Sequence, residues 1–130
     1  MIELLKDKHN SIALIGASND HNKYGYKIFL DLQNKGHEVL PVNTKEKEIQ
    51  GCKVYRDVKD IPECPSIINF VVPPHIGIEI TKDLVEHGFD NFWYQPGAES
   101  KEISEFLDLK NKNYIDDKCI MVVAGLIDSY

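Results

Sequence analysis

The residues Gly16-Ala17-Ser18-Asn19-Asp20-His21-Asn22-Lys23-Tyr24-Gly25 follow directly on the apolar run Ile12-Ala13-Leu14-Ile15. Gly16 permits a tight turn, and the small Ala17 and Ser18 let backbone amides approach a ligand closely. A helix opening around Lys23, Tyr24 and Gly25 would turn the positive end of its dipole toward the same point. This combination suits a pyrophosphate. The run is not the Gly-x-Gly-x-x-Gly fingerprint, and taken alone it fits an ordinary strand-to-helix turn equally well.

Three further segments carry side chains suited to the same ligand. Pro41-Val42-Asn43-Thr44-Lys45 ends a second apolar run, where dinucleotide-binding domains place an acid that accepts bonds from a ribose. Asn43 stands there instead, which argues against NAD, and Lys45 would meet an additional ribose phosphate, the 3′-phosphate of coenzyme A or the 2′-phosphate of NADP. Lys45 also begins the mixed-charge run Lys45-Glu46-Lys47-Glu48, which reads equally as a solvated loop. Val72, Pro73 and Pro74 end a third apolar run with a stiffened backbone able to wall an adenine or a pantetheine arm. In Trp93-Tyr94-Gln95-Pro96-Gly97, the Gln95 amide and the Gly97 backbone can face a cleft, whereas Trp93 reads as core. The histidines and the cysteines Cys52, Cys64 and Cys119 have no metal-ligand spacing, and no catalytic constellation is present. Cys119 reads as a small buried hydrophobe.

Positioning these segments takes alternating strands and helices. Ile12–Ile15 is a first strand, Tyr24 to Lys35 an amphipathic helix closed by Gly36, and Glu38 to Val42 a second strand. Ile67 to Val72 is a third, followed by a helix through Ile76, Ile80, Leu84 and Val85 that stops at Gly88. Asn91 to Tyr94 is a fourth strand, Glu99 to Leu109 a helix, Tyr114 to Asp116 a fifth strand, and Cys119 to Val123 an added edge segment. Ile2 to Lys8 forms a short leading helix. Between Thr44 and Pro65 the alternation breaks into an excursion with a little strand around Val54 and one helical turn near Asp57. The pattern predicts an α/β, Rossmann-like, doubly wound fold, with a mostly parallel five-stranded sheet and helices on both faces. Continuous apolar strands agree with a sheet buried on both sides.

Composition narrows the partners. The 130 residues suit one domain, 1–130, and 42% hydrophobic content suffices for a core. A formal net charge of −6 works against nucleic acid and anionic membranes. Three widely spaced cysteines suggest no disulfide framework, and no apolar run approaches the about 20 residues that span a bilayer. A soluble, cytoplasmic protein is expected.

Taken in order, Ile12 to Ser18, Val39-Leu40-Pro41-Val42-Asn43, Gly51 with Tyr55, Ile61-Pro62, Val72-Pro73-Pro74, Phe92 to Gly97 and Asp117-Lys118-Cys119-Ile120 resemble the small stand-alone CoA-binding protein family. Its fold is shared by the CoA-binding domain of the succinyl-CoA synthetase α subunit. The resemblance runs from about Ser11 to Val122. It implies that the loop from Gly16 to Gly25 holds the pyrophosphate of coenzyme A, that Lys45 meets the adenosine phosphates, and that Val72-Pro73-Pro74 lines the nucleotide slot. The chain departs from the family at Thr44, often Pro, and at Lys118, often Arg. The synthetase's phosphorylated histidine lies in a second domain that has no counterpart here, so ligase activity is not implied. The expected function is binding of coenzyme A or acyl-CoA as a binding or regulatory module, with a protein partner or a second copy as a further possibility. The alternative is an NAD(P)-binding redox sensor or oxidoreductase component.

Overall fold

The computed structural model describes residues 1–129 and contains a five-stranded, wholly parallel sheet. Its strands are β1 (Ile12–Ile15), β2 (Val39–Val42), β5 (Ile67–Phe70), β6 (Asn91–Tyr94) and β7 (Asn113–Ile115), in the order β2-β1-β5-β6-β7. Helices α1 (Ile2–Lys6), α2 (Tyr24–Asn34) and α5 (Ile120–Asp128) group together, and α3 (Pro74–Glu86) packs with α4 (Lys101–Leu109).

The strict side-chain alternation of a strand explains how one apolar run feeds two cores. Ile12 and Leu14 of β1 and Trp93 of β6 join Ile28, Phe29, Leu32, Ile120 and Val123 on the α2/α5 face. Ala13 and Ile15, with Phe70, Phe92 and Tyr94, join Ile78, Leu84, Ile103 and Leu107 on the α3/α4 face. Tyr94 is fully buried, stacks on Phe70 with ring centroids 4.5 Å apart, and satisfies its hydroxyl with that of Thr81 at 2.6 Å. Desolvation accordingly pushes the Tyr94 phenol well above its ordinary pKa.

The Thr44 to Pro65 excursion contains more structure than its composition suggests. β3 (Glu48–Ile49) and β4 (Cys52–Lys53) form a hairpin around Gln50 and Gly51, both at positive φ, 50° and 77°, as a two-residue turn of the primed type requires. The ordered strand thus precedes Val54, while Tyr55 bridges in parallel to Val42. The expected helical turn is present at Val58–Asp60, capped by the Asp57 carboxylate, which accepts from the Lys59 amide at 2.9 Å.

The expected edge segment at Cys119 to Val123 is instead the start of helix α5. The run Ile120-Met121-Val122-Val123 has strand-forming composition, yet Ile120, Val123 and Ala124 fall at helical spacing and all three are buried. Tertiary burial against α2 and α1 outweighs the local preference. Helix α5 also meets the beginning of the chain, where Lys8 Nζ pairs with the Asp128 carboxylate at 2.9 Å.

His37, only 5% exposed, lies beside these charges, and its Nδ1 has no hydrogen-bond partner. Burial is the main cause that pushes its pKa below the ordinary value; Lys8 and Lys35 add to the effect, and Asp128 and Asp31 oppose it. The unfolded chain therefore binds the proton more readily than the folded one. Stability is fully present above the unfolded histidine pKa, about 6.5, and is lost as pH falls below it. Urea titrations between pH 7 and pH 5 should show wild-type stability falling, and His37→Leu should flatten that slope.

Candidate functional site

In the order β2-β1-β5-β6-β7 the chain reverses direction of winding between β1 and β5, and an open sheet of this kind leaves a crevice beyond the carboxyl ends of the strands at that point. A cavity of about 630 Å3 occupies this place, within the size range of small-molecule sites. Gly16 ends β1, Val71 to Pro74 follow β5, Gln95 to Ala98 follow β6, and Asn22 to Gly25 with Cys119 complete the lining.

Two glycines allow this crevice to form. Gly25, in the first turn of α2, sits so close to the end of β1 that a Cβ there would lie 2.0 Å from the Gly16 carbonyl oxygen. Gly16 itself has φ +99°, and a Cβ would approach the Val72 Cγ1 at 3.1 Å and the Val71 carbonyl carbon at 3.2 Å. The first glycine seats the helix on the strand, and the second turns the chain beneath β5. Lys23 becomes the N-cap of α2 without any side-chain cap bond. The Tyr24 and Gly25 amides open the helix, where no intrahelical acceptor exists for them. No acid stands in that first turn.

The structure brings Gly16, Lys23, Tyr24, Gly25, Val72, Pro73, Pro74, Gln95 and Gly97 to one cavity, and it puts Ala17, Ser18, Asn43 and Lys45 outside its lining. Ala17 is fully buried, and the Ser18 hydroxyl accepts from the Asp20 amide at 3.0 Å. Asn43 has both ends of its amide engaged. Its Nδ2 donates to the Ala17 carbonyl at 2.7 Å, and its Oδ1 accepts from the Lys45 amide at 2.6 Å. Asn43 therefore ties the β1–α2 loop to the β2–β3 loop. The Lys45 side chain is exposed on that second loop.

Asn22, Val71, Pro96, Ala98 and Cys119 also line the cavity. The position of Cys119 follows from α5, whose N-cap it is. Gln95 joins the corner together: its Oε1 accepts from the Ile120 amide at 2.9 Å, and its Nε2 donates to the Cys119 Sγ at 3.2 Å. Below this floor lies Asn69, paired in register with Leu14 and Trp93, fully buried, and without a partner for either amide atom. Nothing in its apolar run marks it out.

A parallel sheet in this strand order, with its crevice at the switch point and a tight glycine turn after β1, defines a Rossmann-like α/β domain with an open cleft at its strand ends. A family model described as a CoA binding domain matches residues 10–125, and the chain belongs to that family. CoA binding is thus the function its family supports. The chain is 44% identical over 78 residues to the α subunit of an ADP-forming acetate–CoA ligase II from Pyrococcus furiosus; the matched part is 59% of this chain and 16% of that subunit. It is 26% identical over 125 residues, 96% of this chain, to the uncharacterised protein YneT of Bacillus subtilis, of which the match covers 93%. A solved conserved hypothetical protein from Pyrococcus furiosus superposes with a TM-score of 0.84 at 50% identity, covering 87% of this chain and 97% of that one. The chain thus corresponds to a small part of the ligase subunit and to nearly all of the other two relatives.

The seating of α2 on β1 predicts a sharp contrast between two glycines. Gly25→Ala should cost about 3 kcal/mol or more in urea unfolding, because backbone must move to admit the methyl group. Gly77→Ala, in α3, would make only ordinary contacts of 3.7 to 3.8 Å and should gain about 0.5 to 1 kcal/mol from helix propensity.

Proposed function

We propose that this domain binds coenzyme A or an acyl-CoA in the switch-point cleft and acts as a binding or regulatory module with no chemistry of its own on the thioester. The observation that carries this reading is the start of α2. A lysine occupies the N-cap facing the cavity, where acids are normally favoured, and free amides stand beside it. Positive potential collected there has no counter-charge within the helix's first turn. An anionic ligand supplies it, and a pyrophosphate can accept from the Tyr24 and Gly25 amides and from Lys23 together.

Val72, Pro73 and Pro74 form an apolar wall for the nucleotide or the arm of the ligand. The loop carrying Lys45 is held against the β1–α2 loop by Asn43, so the Lys45 ammonium, although outside the cavity, is free to reach a 3′-phosphate projecting from its edge. With its amide committed in this way, Asn43 serves as a strut and leaves a ribose hydroxyl without the acid an NAD site provides. A single unit of this kind, working in the cytoplasm and presenting its loaded cleft to another protein, fits the reading. Among the described residues no helix is long and apolar enough to cross a membrane.

Thermal unfolding with coenzyme A, acetyl-CoA, dephospho-CoA, NAD and NADP tests it, because a ligand bound only by the native state raises the midpoint by mass action. Coenzyme A well above its Kd should raise Tm by several degrees, and Lys23→Ala should remove most of that gain. Lys45→Ala should weaken coenzyme A while leaving dephospho-CoA unchanged. Stabilisation by NAD or NADP alone would overturn the reading.

A further inference from the structure

The cavity is chemically uneven. Its cationic side chain, Lys23, and the free helix amides stand at the β1 side. β6 lies two strands away, about 10 Å at the normal strand spacing. There the lining consists of Gln95, Pro96, Gly97, Ala98 and Cys119, none of them carrying a formal charge. A ligand with phosphates at one end and a neutral arm at the other has one natural orientation in such a cleft.

Gln95 is the polar group of the neutral end that is held most firmly, being 6% exposed. The Ile120 amide is a donor, so the atom facing it must be the Gln95 oxygen; this fixes which way the carboxamide points. The Nε2 group then carries two hydrogens. One goes to the Cys119 Sγ, and no second acceptor for Nε2 is present among the described residues. A donor left without a partner in a largely desolvated place is unfavourable until something fills it. A phosphate finds better partners at Lys23, and an apolar group or a thiol would leave the hydrogen unmatched. A carbonyl oxygen satisfies it.

Resting on the CoA reading above, we infer that the free Nε2 hydrogen of Gln95 donates to a carbonyl oxygen of the ligand's neutral arm, either a pantetheine amide or the acyl thioester. Gln95 is then a specificity residue that sets the direction of the bound ligand and places its sulfur end in the corner formed by β6 and the start of α5.

The test uses isothermal titration of the whole chain with adenosine 3′,5′-bisphosphate, coenzyme A and acetyl-CoA. In Gln95→Glu an oxygen remains for the Ile120 amide, so α5 stays capped, but the donor is gone. The bisphosphate, which has no arm, should bind this variant within twofold of wild type, while acetyl-CoA, alone or together with coenzyme A, binds about tenfold more weakly, and a loss confined to coenzyme A would overturn the inference. A loss for both names a pantetheine amide as the acceptor, and a loss confined to acetyl-CoA names the thioester. Gln95→Met, of similar size and without a donor, is read in the same three titrations, so that instability of one variant does not decide the matter. Equal losses on all three ligands, or none on any, would overturn the inference while the CoA reading stands. Failure of the wild type to bind coenzyme A and acetyl-CoA would overturn both.

Discussion

Helix α2 sits directly on the end of β1, at a distance that admits a hydrogen atom and nothing larger. A Cβ on Gly25 would overlap the Gly16 carbonyl oxygen at 2.0 Å. Backbone packed on backbone at this range is a rigid joint, since neither partner has a side chain whose rotation could relieve it. From it follow the place of Lys23 and Tyr24 at the rim of the cleft, the free amides of the helix start, and the turn of Gly16 beneath Val71 and Val72. The apolar core on the α2/α5 face completes the seating through Ile28, Phe29 and Leu32, all fully buried. This side of the cleft is thus made by the way two elements meet.

The same cleft has a second joint at the opposite side. Gln95 binds the start of α5 to the end of β6, as the Gly25 contact binds the start of α2 to the end of β1, with a hydrogen-bonded carboxamide in place of bare backbone. Helices α2 and α5 therefore both start at this crevice, as α3 does at Pro74. The first carries a cation and open amides; the second has its leading amide already satisfied by protein. Their difference, more than the overall charge of −6, determines what kind of group each end can hold.

The elements of the sheet were legible because parallel strands buried on both faces are written as unbroken apolar runs, and because glycines and prolines punctuate them. Ile12–Ile15 and Asn91–Tyr94 are bounded in the structure as their runs suggest, and the remaining strands and crossover helices shift by a few residues at their ends, where termini fray. Helix α5 was not legible. Ile120 to Val123 has the composition of a strand, and only the three-dimensional neighbours α1 and α2 make it a helix. With it went the position of Cys119. The candidate site divides along similar lines. Residues whose function depends on backbone or on lying at a strand end, such as Gly16, Gly25, Val72, Pro73 and Pro74, fall at the cavity. Ala17, Ser18 and Asn43 stand out in the sequence by side-chain size or chemistry, and the structure commits these to burial and to internal hydrogen bonds. A sequence reports which groups exist, but it does not report which are already taken.

The contact between α1 and α5, fastened by Lys8 and Asp128, has a consequence for how such a unit travels between proteins. It brings the beginning and the end of the fold side by side, and the crevice lies at the other end of α5, beside Cys119. A fold whose two ends emerge together can be spliced into a longer polypeptide like a bead on a loop, its neighbours attached at one point on its surface. Additional chain joined there would leave the strand ends open to ligand. The geometry suits the same module to existing alone and to serving as one part of a much larger chain.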